Sequence, residues 1–176
     1  MDEEARLRLE YDRGSELLRG LTETRFRLLA LVPTLSGAVV ALISSSRPAV
    51  ELLAIGLLGL SATLGVLLYE LRNGEIQRVV ARRVTDAERV LLPHGPVLDV
   101  PRTRLLGFVP VSRAGALALV YGAALGGWGY LVAWGALRAL GVEGAARPAG
   151  LAIGAGFGLV VALEILRLEG SDRVEA

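Results

Sequence analysis

The sequence predicts an all-α protein: a four-span transmembrane helical bundle with a cytosolic antiparallel helical stalk and both termini cytoplasmic. Three observations carry that prediction. Residues 28–46 and 52–69 are uncharged blocks of 19 and 18 residues with only five residues between them, each near the ~20 that take a helix across a bilayer. A second pair of apolar blocks, 114–137 and 148–166, repeats the arrangement. The composition, 53% hydrophobic but only 5% aromatic, is too apolar for a polar-surfaced globule of this size, so much of the apolar surface must face lipid.

The first 27 residues are charged, yet Leu7, Tyr11, Gly14, Leu18, Leu21 and Leu28 recur at spacings of four and three. That is one face of a helix, predicted to continue without a break into the first span. Pro33 removes a backbone donor about one turn inside the membrane, where neighbouring helices tolerate a kink. In the second span, Gly56, Gly59 and Gly65 permit close approach of helix backbones.

With the turn centred near residue 49, an antiparallel hairpin places Ser36 level with Ser61 and Thr34 level with Thr63. These four hydroxyls are candidate pore-lining or interhelical polar contacts, worth ~0.6 to 2 kcal/mol if they meet. The same register sets Arg27 opposite Glu70 as a boundary ion pair, and farther out Leu18 opposite Val79 and Leu7 opposite Val90.

Residues 70–92 fit the outward extension, since Ile76, Val80, Val84, Ala87 and Leu91 form a helical stripe. No proline interrupts residues 52–92, and a helix of that length is ~60 Å long, twice the hydrocarbon thickness. Half of it must stand outside the membrane. Pro93, Gly95, Pro96, Pro101, Gly107 and Pro110 then predict a loop over 93–113, with Ser112 as N-cap of the next helix.

The third span carries Gly122, Gly126, Gly127, Gly129 and Gly135, and the fourth repeats Gly150, Gly154 and Gly158 with Ala162 in phase. In water each helix-interior glycine costs up to ~1 kcal/mol against alanine; in a bilayer they read as packing faces, here Gly122 and Gly126 on one helix and Gly150, Gly154 and Gly158 on the other. Those faces suggest self-association into a homo-oligomer. Trp134, near the outer end, is placed as an interfacial aromatic, and the tail 169–176 is short and polar.

Orientation follows from arginine, the sole basic residue type besides one histidine. Residues 1–27 hold 6, residues 70–113 hold 8 and residues 164–176 hold 2, whereas the two short connections hold 3 between them. The positive-inside rule puts both termini in the cytoplasm. The acidic start, with its first apolar run only at Leu28, is unlike a cleaved signal.

Several function classes are disfavoured. A net charge of +1 lacks the basic excess of a nucleic-acid binder. There is no cysteine, and the one histidine, His94, sits between Pro93 and Gly95; a surface turn explains it better than a general base. A phosphate-cradling P-loop needs a lysine that the chain lacks. Ser36-Gly37 has no histidine or lysine in any span to activate the hydroxyl. Gly154-Ala-Gly156-Phe-Gly158 lies inside an apolar run, where helix packing accounts for it better than dinucleotide binding. No enzyme activity and no cofactor or metal is expected. Glu70 and Glu164, at the inner ends of spans, suit a proton or cation pathway less well than boundary salt bridges.

The run Tyr69-Glu70-Leu71-Arg72-Asn73, opening a long helix directly after a two-span hairpin with a matching N-terminal helix, resembles the SLATT group of bacterial membrane proteins over about residues 5–92. That resemblance implies a bacterial plasma-membrane protein acting as an oligomeric, pore-forming effector. This chain departs from the pattern by adding a third and fourth span, and no functional residues carry over. The expectation is an oligomeric channel or pore-forming effector gated by its stalk. The alternatives are a non-conducting scaffold that recruits a cytosolic protein through residues 5–27 and 70–92, or a small-solute transporter.

Overall fold

The computed structural model describes residues 3–42, 47–91, 104–105, 109–110 and 113–171. The expectations for residues 43–46, for His94, for Ser112 and for residues 172–176 lie outside the described residues. Four helices dominate: α1 (Glu3–Leu42), α2 (Ala49–Leu91), α3 (Arg113–Ala139) and α4 (Ala146–Ser171). In the connection expected to be loop, β1 (Arg104–Leu105) and β2 (Val109–Pro110) form an antiparallel pair with Arg104 opposite Pro110. So short a ladder accommodates a proline at its edge. Helices α2, α3 and α4 are each long and apolar enough to cross a membrane. The described part of the first expected span, residues 28–42, is the last part of α1, which runs as one helix from the charged N-terminal residues through position 33.

Helix α3 is the centre of the bundle. On one side it packs antiparallel to α2: a Cβ built on Gly135 would lie 2.7 Å from the Leu53 nitrogen, one on Gly56 would lie 2.8 Å from the Val132 nitrogen, and one on Gly59 would overlap the Trp128 indole. On its other side the two glycine ridges interlock. A Cβ on Gly154 would stand 2.6 Å from the Gly126 carbonyl oxygen, one on Gly122 would stand 3.0 Å from the Gly158 carbonyl oxygen, and one on Gly150 would stand 3.2 Å from the Trp134 nitrogen. Only bare backbones can approach this closely, which is how small residues hold helices together where lipid removes the hydrophobic driving force. The glycine faces therefore meet each other within one chain.

Two apolar clusters fill the space. Leu67 on α2, Leu117, Tyr121 and Leu125 on α3, and Ile165 on α4 surround Val32 of α1. Nearer the short connections, Leu52 packs with Trp128, Leu131, Trp134 and Ala146. Trp134 is thus buried rather than presented to the membrane interface. Its ring stacks on Tyr130 at 5.6 Å, with the guanidinium groups of Arg138 and Arg147 5.8 and 5.2 Å from its centroid. Arg138 also donates to the Arg47 carbonyl oxygen at 3.1 Å, which ties the two short connections together. The hydropathy pattern located Trp134 at the correct end but could not fix which way it turned.

Beyond the start of α3 the two long helices continue as an antiparallel pair. A Cβ on Gly14 would lie 2.5 Å from Val84 Cγ2, and the Tyr11 hydroxyl donates to Glu88 Oε1 at 3.4 Å. Val84 and Ala87 are buried in the seam, with Val80 and Leu91 half-buried beside them. Ile76 departs from the expected stripe and is 41% exposed. Each of these pairs lies within about two positions of the register set by the turn, because rigid helices of fixed rise propagate it along their length.

Leu18, half-buried on α1, lies one turn from Gly14, which packs against Val84 in this seam. Leu18→Asp places a carboxylate beside the seam and is expected to make residues 3–27 sensitive to limited proteolysis while leaving membrane insertion unchanged; resistance equal to wild type contradicts the pairing.

Candidate functional site at the stalk–bundle junction

Two of the buried polar side chains, Glu70 and Asn73, lie where the stalk joins the bundle. Glu70 on α2 is fully buried, and Arg25 on α1 reaches it with Nε 2.5 Å from Oε1, the arginine side chain being 20% exposed. The contact is an ion pair by proximity; the Nε–H does not align as a hydrogen bond along it. Asn73 lies one turn beyond Glu70 on the same face of α2. It is 4% exposed, and its Nδ2 has no hydrogen-bond partner among the described residues. From α3 comes Tyr121, fully buried and in electrostatic contact with both Glu70 and Arg25. Its hydroxyl likewise lacks a hydrogen-bond partner among the described residues. Three helices thus each contribute a polar side chain to one joint, buried from α2 and α3 and half-buried from α1.

A buried charge is tolerated only when paired and polar-solvated, so the ion pair fixes the relative placement of α1 and α2. Unpartnered amide and phenol donors beside a carboxylate also give the joint room to rearrange its hydrogen bonds.

The boundary ion pair expected between Arg27 and Glu70 is instead Arg25 with Glu70; Arg27 pairs with Glu23 one turn back on its own helix at 2.5 Å. Helix rotation explains the shift: two positions farther along α1 turn the side chain by more than half a revolution, away from α2. Near the C-terminal end of α4, Arg167 and Glu164 pair at 3.9 Å. No protein-family model matches the chain, and neither a characterised protein nor a solved structure is similar to it.

The four hydroxyls expected to share a level do not converge. Thr34 is exposed and donates to the carbonyl oxygen of Ala30 at 2.7 Å, Ser61 is exposed, Thr63 is 7% exposed, and Ser36 is half-buried with no partner for its Oγ among the described residues. Gly122, Gly126, Gly150, Gly154 and Gly158 are brought together as the α3–α4 contact. Sequence reasoning missed Asn73 and Tyr121 as members of the joint. Asn73 carried a signal, being the one amide at a span boundary; Tyr121, one of two tyrosines in an apolar run, carried none.

No group of histidine, cysteine or carboxylate side chains suited to a metal ion occurs among the described residues. The grooves on the surface are open and apolar: one of about 550 Å³ runs along α3 and α4 beside Gly126 and Gly154, and one of about 400 Å³ lies between Thr24, Leu28, Ala62 and Tyr69.

Proposed function

We propose that the protein is a non-enzymatic, oligomeric integral membrane protein that works as a SLATT-like pore-forming effector, with its termini and stalk in the bacterial cytoplasm and its opening governed by the stalk. The joint of Arg25, Glu70 and Tyr121 is the observation that carries this reading. Both stalk helices run on into the apolar segments, and the Arg25–Glu70 ion pair ties α1 to α2 beside the buried Tyr121 of α3, so a tilt of one stalk helix is felt at the joint. A two-state element of this kind is what coupling requires.

Within one chain the interior is filled by Leu52, Leu117, Leu125, Trp128 and Leu131. Ions therefore pass between copies, where the outward hydroxyls of Thr34 and Ser61 can face water. In proteoliposomes loaded with potassium, the purified protein is expected to release the ion, and Ser61→Cys is expected to make that release sensitive to a small impermeant thiol reagent. Reconstituted protein that releases nothing, with or without the reagent, contradicts the pore.

A second reading is favoured by Ile76, Val79 and Val90, apolar side chains exposed on the stalk. It is a non-conducting scaffold that recruits a cytosolic protein through residues 5–27 and 70–92. Absent flux together with a stalk-dependent partner distinguishes it.

A further inference from the structure

At the end of the bundle opposite the stalk, two cations converge on one aromatic ring. The guanidinium groups of Arg138 and Arg147 stand 5.8 and 5.2 Å from the centroid of the Trp134 indole, so the two charges are no farther apart than those distances laid end to end. That separation is comparable with the Debye length of ~8 to 10 Å near physiological salt, and their repulsion is felt. Neither has a carboxylate partner among the described residues, whereas the neighbouring Arg47 pairs with Glu51 at 3.2 Å.

Arg138 is explained within the fold. It lies in the last turn of α3, where the helix dipole favours a cation, and it donates to the Arg47 carbonyl oxygen. Arg147 is not so explained. It lies in the first turn of α4, where the dipole disfavours positive charge, and no acidic residue shares that turn. An exposed side chain set beside a second cation, at a helix end of the wrong sign, marks a place for an anion.

Directly below this pair the apolar groove of about 550 Å³ begins, lined by Gly127 and Tyr130 of α3 and by Leu151, Ala155, Leu159 and Ala162 of α4. Both helices carry it up to the cations: Tyr130 stacks on Trp134, and Leu151 lies one turn after Arg147 on the same face of α4. From Leu151 to Ala162 the groove runs ~17 Å at 1.5 Å per residue, about half of the ~30 Å hydrocarbon thickness. That is the depth of one leaflet.

We propose that Arg138, Arg147 and this groove bind one phospholipid from the leaflet on the side of the short connections. The phosphate oxygens lie between the two guanidinium groups, and an acyl chain follows the groove. Guanidinium forks present paired N–H donors to a phosphate, and contact with the indole covers their faces while leaving those edges available. A phosphate with its own hydrocarbon chain is the one ligand that uses the charge and the groove together. In the α3–α4 connection Leu140 and Val142, 78% and 42% exposed, offer the glycerol region an apolar contact. A helix of another protein needs neither an anion at the mouth nor a groove that stops at mid-bilayer. The inference rests on the membrane placement of α3 and α4 in the reading above and is independent of conductance.

Native mass spectrometry of the delipidated full chain in a mild detergent tests the site, with dioleoylphosphatidylglycerol as the probe. One molecule per chain is expected to remain bound. Replacing both arginines, Arg138→Gln with Arg147→Gln, is expected to weaken retention at least tenfold, and Arg82→Gln on the stalk to leave it unchanged. Gly127→Leu fills the groove from its open side, since nothing stands within 4 Å of the built Cβ; it is expected to weaken retention to a similar degree with both arginines intact.

Each alternative overturns the inference. Inorganic phosphate bound as tightly as the lipid means an anion site without a chain groove, and dioleoylglycerol retained as well as the phospholipid means a groove without an anion site. No retention, or equal retention by all variants, means that the two arginines serve the packing of Trp134 alone. Lipid retention without flux rejects the pore and leaves this site standing, whereas flux without retention does the reverse; a chain monodisperse without detergent rejects both.

Discussion

Arg25→Ala is expected to destabilise the protein by about 3 kcal/mol, the lower end for breaking a buried ion pair, because Glu70 keeps a further interaction when Arg25 is removed. The two partners are not equivalent. Glu70 has no exposure at all, whereas the Arg25 side chain is 20% exposed and can carry its charge outward along a flexible stem. Glu70→Leu should therefore cost less than Arg25→Ala, and Arg25→Met combined with Glu70→Leu should recover much of the loss by replacing the pair with apolar groups. Reversible unfolding in mixed micelles measures all three. A double variant less stable than Arg25→Ala alone shows that the two residues do not act as a unit.

The second large effect is steric. Gly154→Ala introduces a methyl group 2.6 Å from the Gly126 carbonyl oxygen and 2.7 Å from the Tyr130 nitrogen. Both obstacles are backbone, so no side-chain rotation relieves them, and α4 must move away from α3 along its whole length. Overpacking of this kind costs about 1–3 kcal/mol, and the upper part of that range is expected here. Gly156→Ala is the control: nothing stands within 4 Å of its built Cβ, and the substitution should be neutral or stabilising by up to ~1 kcal/mol through helix propensity. The contrast separates contact from composition, since both are glycine-to-alanine changes two residues apart in one helix. Equal stabilities for the two variants contradict the interlocked ridges.

What the sequence made legible was depth, and what it concealed was rotation. Uncharged blocks of bilayer length and the absence of proline from residues 52–92 were enough to give the hairpins and the long α2. A fixed rise per residue then carried the turn near residue 49 out to Tyr11 and Glu88 within about two positions. The same rule places Thr34 level with Thr63 and Ser36 with Ser61, and says nothing of the direction in which each points. Thr63 turns inward while Thr34 and Ser61 turn outward, because helices apolar on every side carry no hydrophobic stripe to reveal their azimuth.

The glycine faces show a related limit. Gly122 and Gly126 announce a close approach but not whether the partner is α4 of the same chain or a helix of another; the short connection ending in Arg147 and Pro148 settles this in favour of α4. At the junction, Arg25 and Arg27 differ by two residues and hence by just over a half-turn. Only the structure distinguishes the one that enters the core from the one that stays on the surface.

Site-specific labelling is the measurement closest to the central claim, that apolar blocks of bilayer length cross the membrane and that α2 carries one of them onward into water. In sealed vesicles, single-cysteine variants would be exposed to a membrane-impermeant maleimide. Leu58→Cys and Leu151→Cys, outward-facing on α2 and α4, are predicted to remain unlabelled until the bilayer is dissolved, whereas Arg82→Cys on the stalk reacts whenever the reagent reaches its side. Rapid labelling of Leu58→Cys and Leu151→Cys in protein that is monodisperse without detergent contradicts the account.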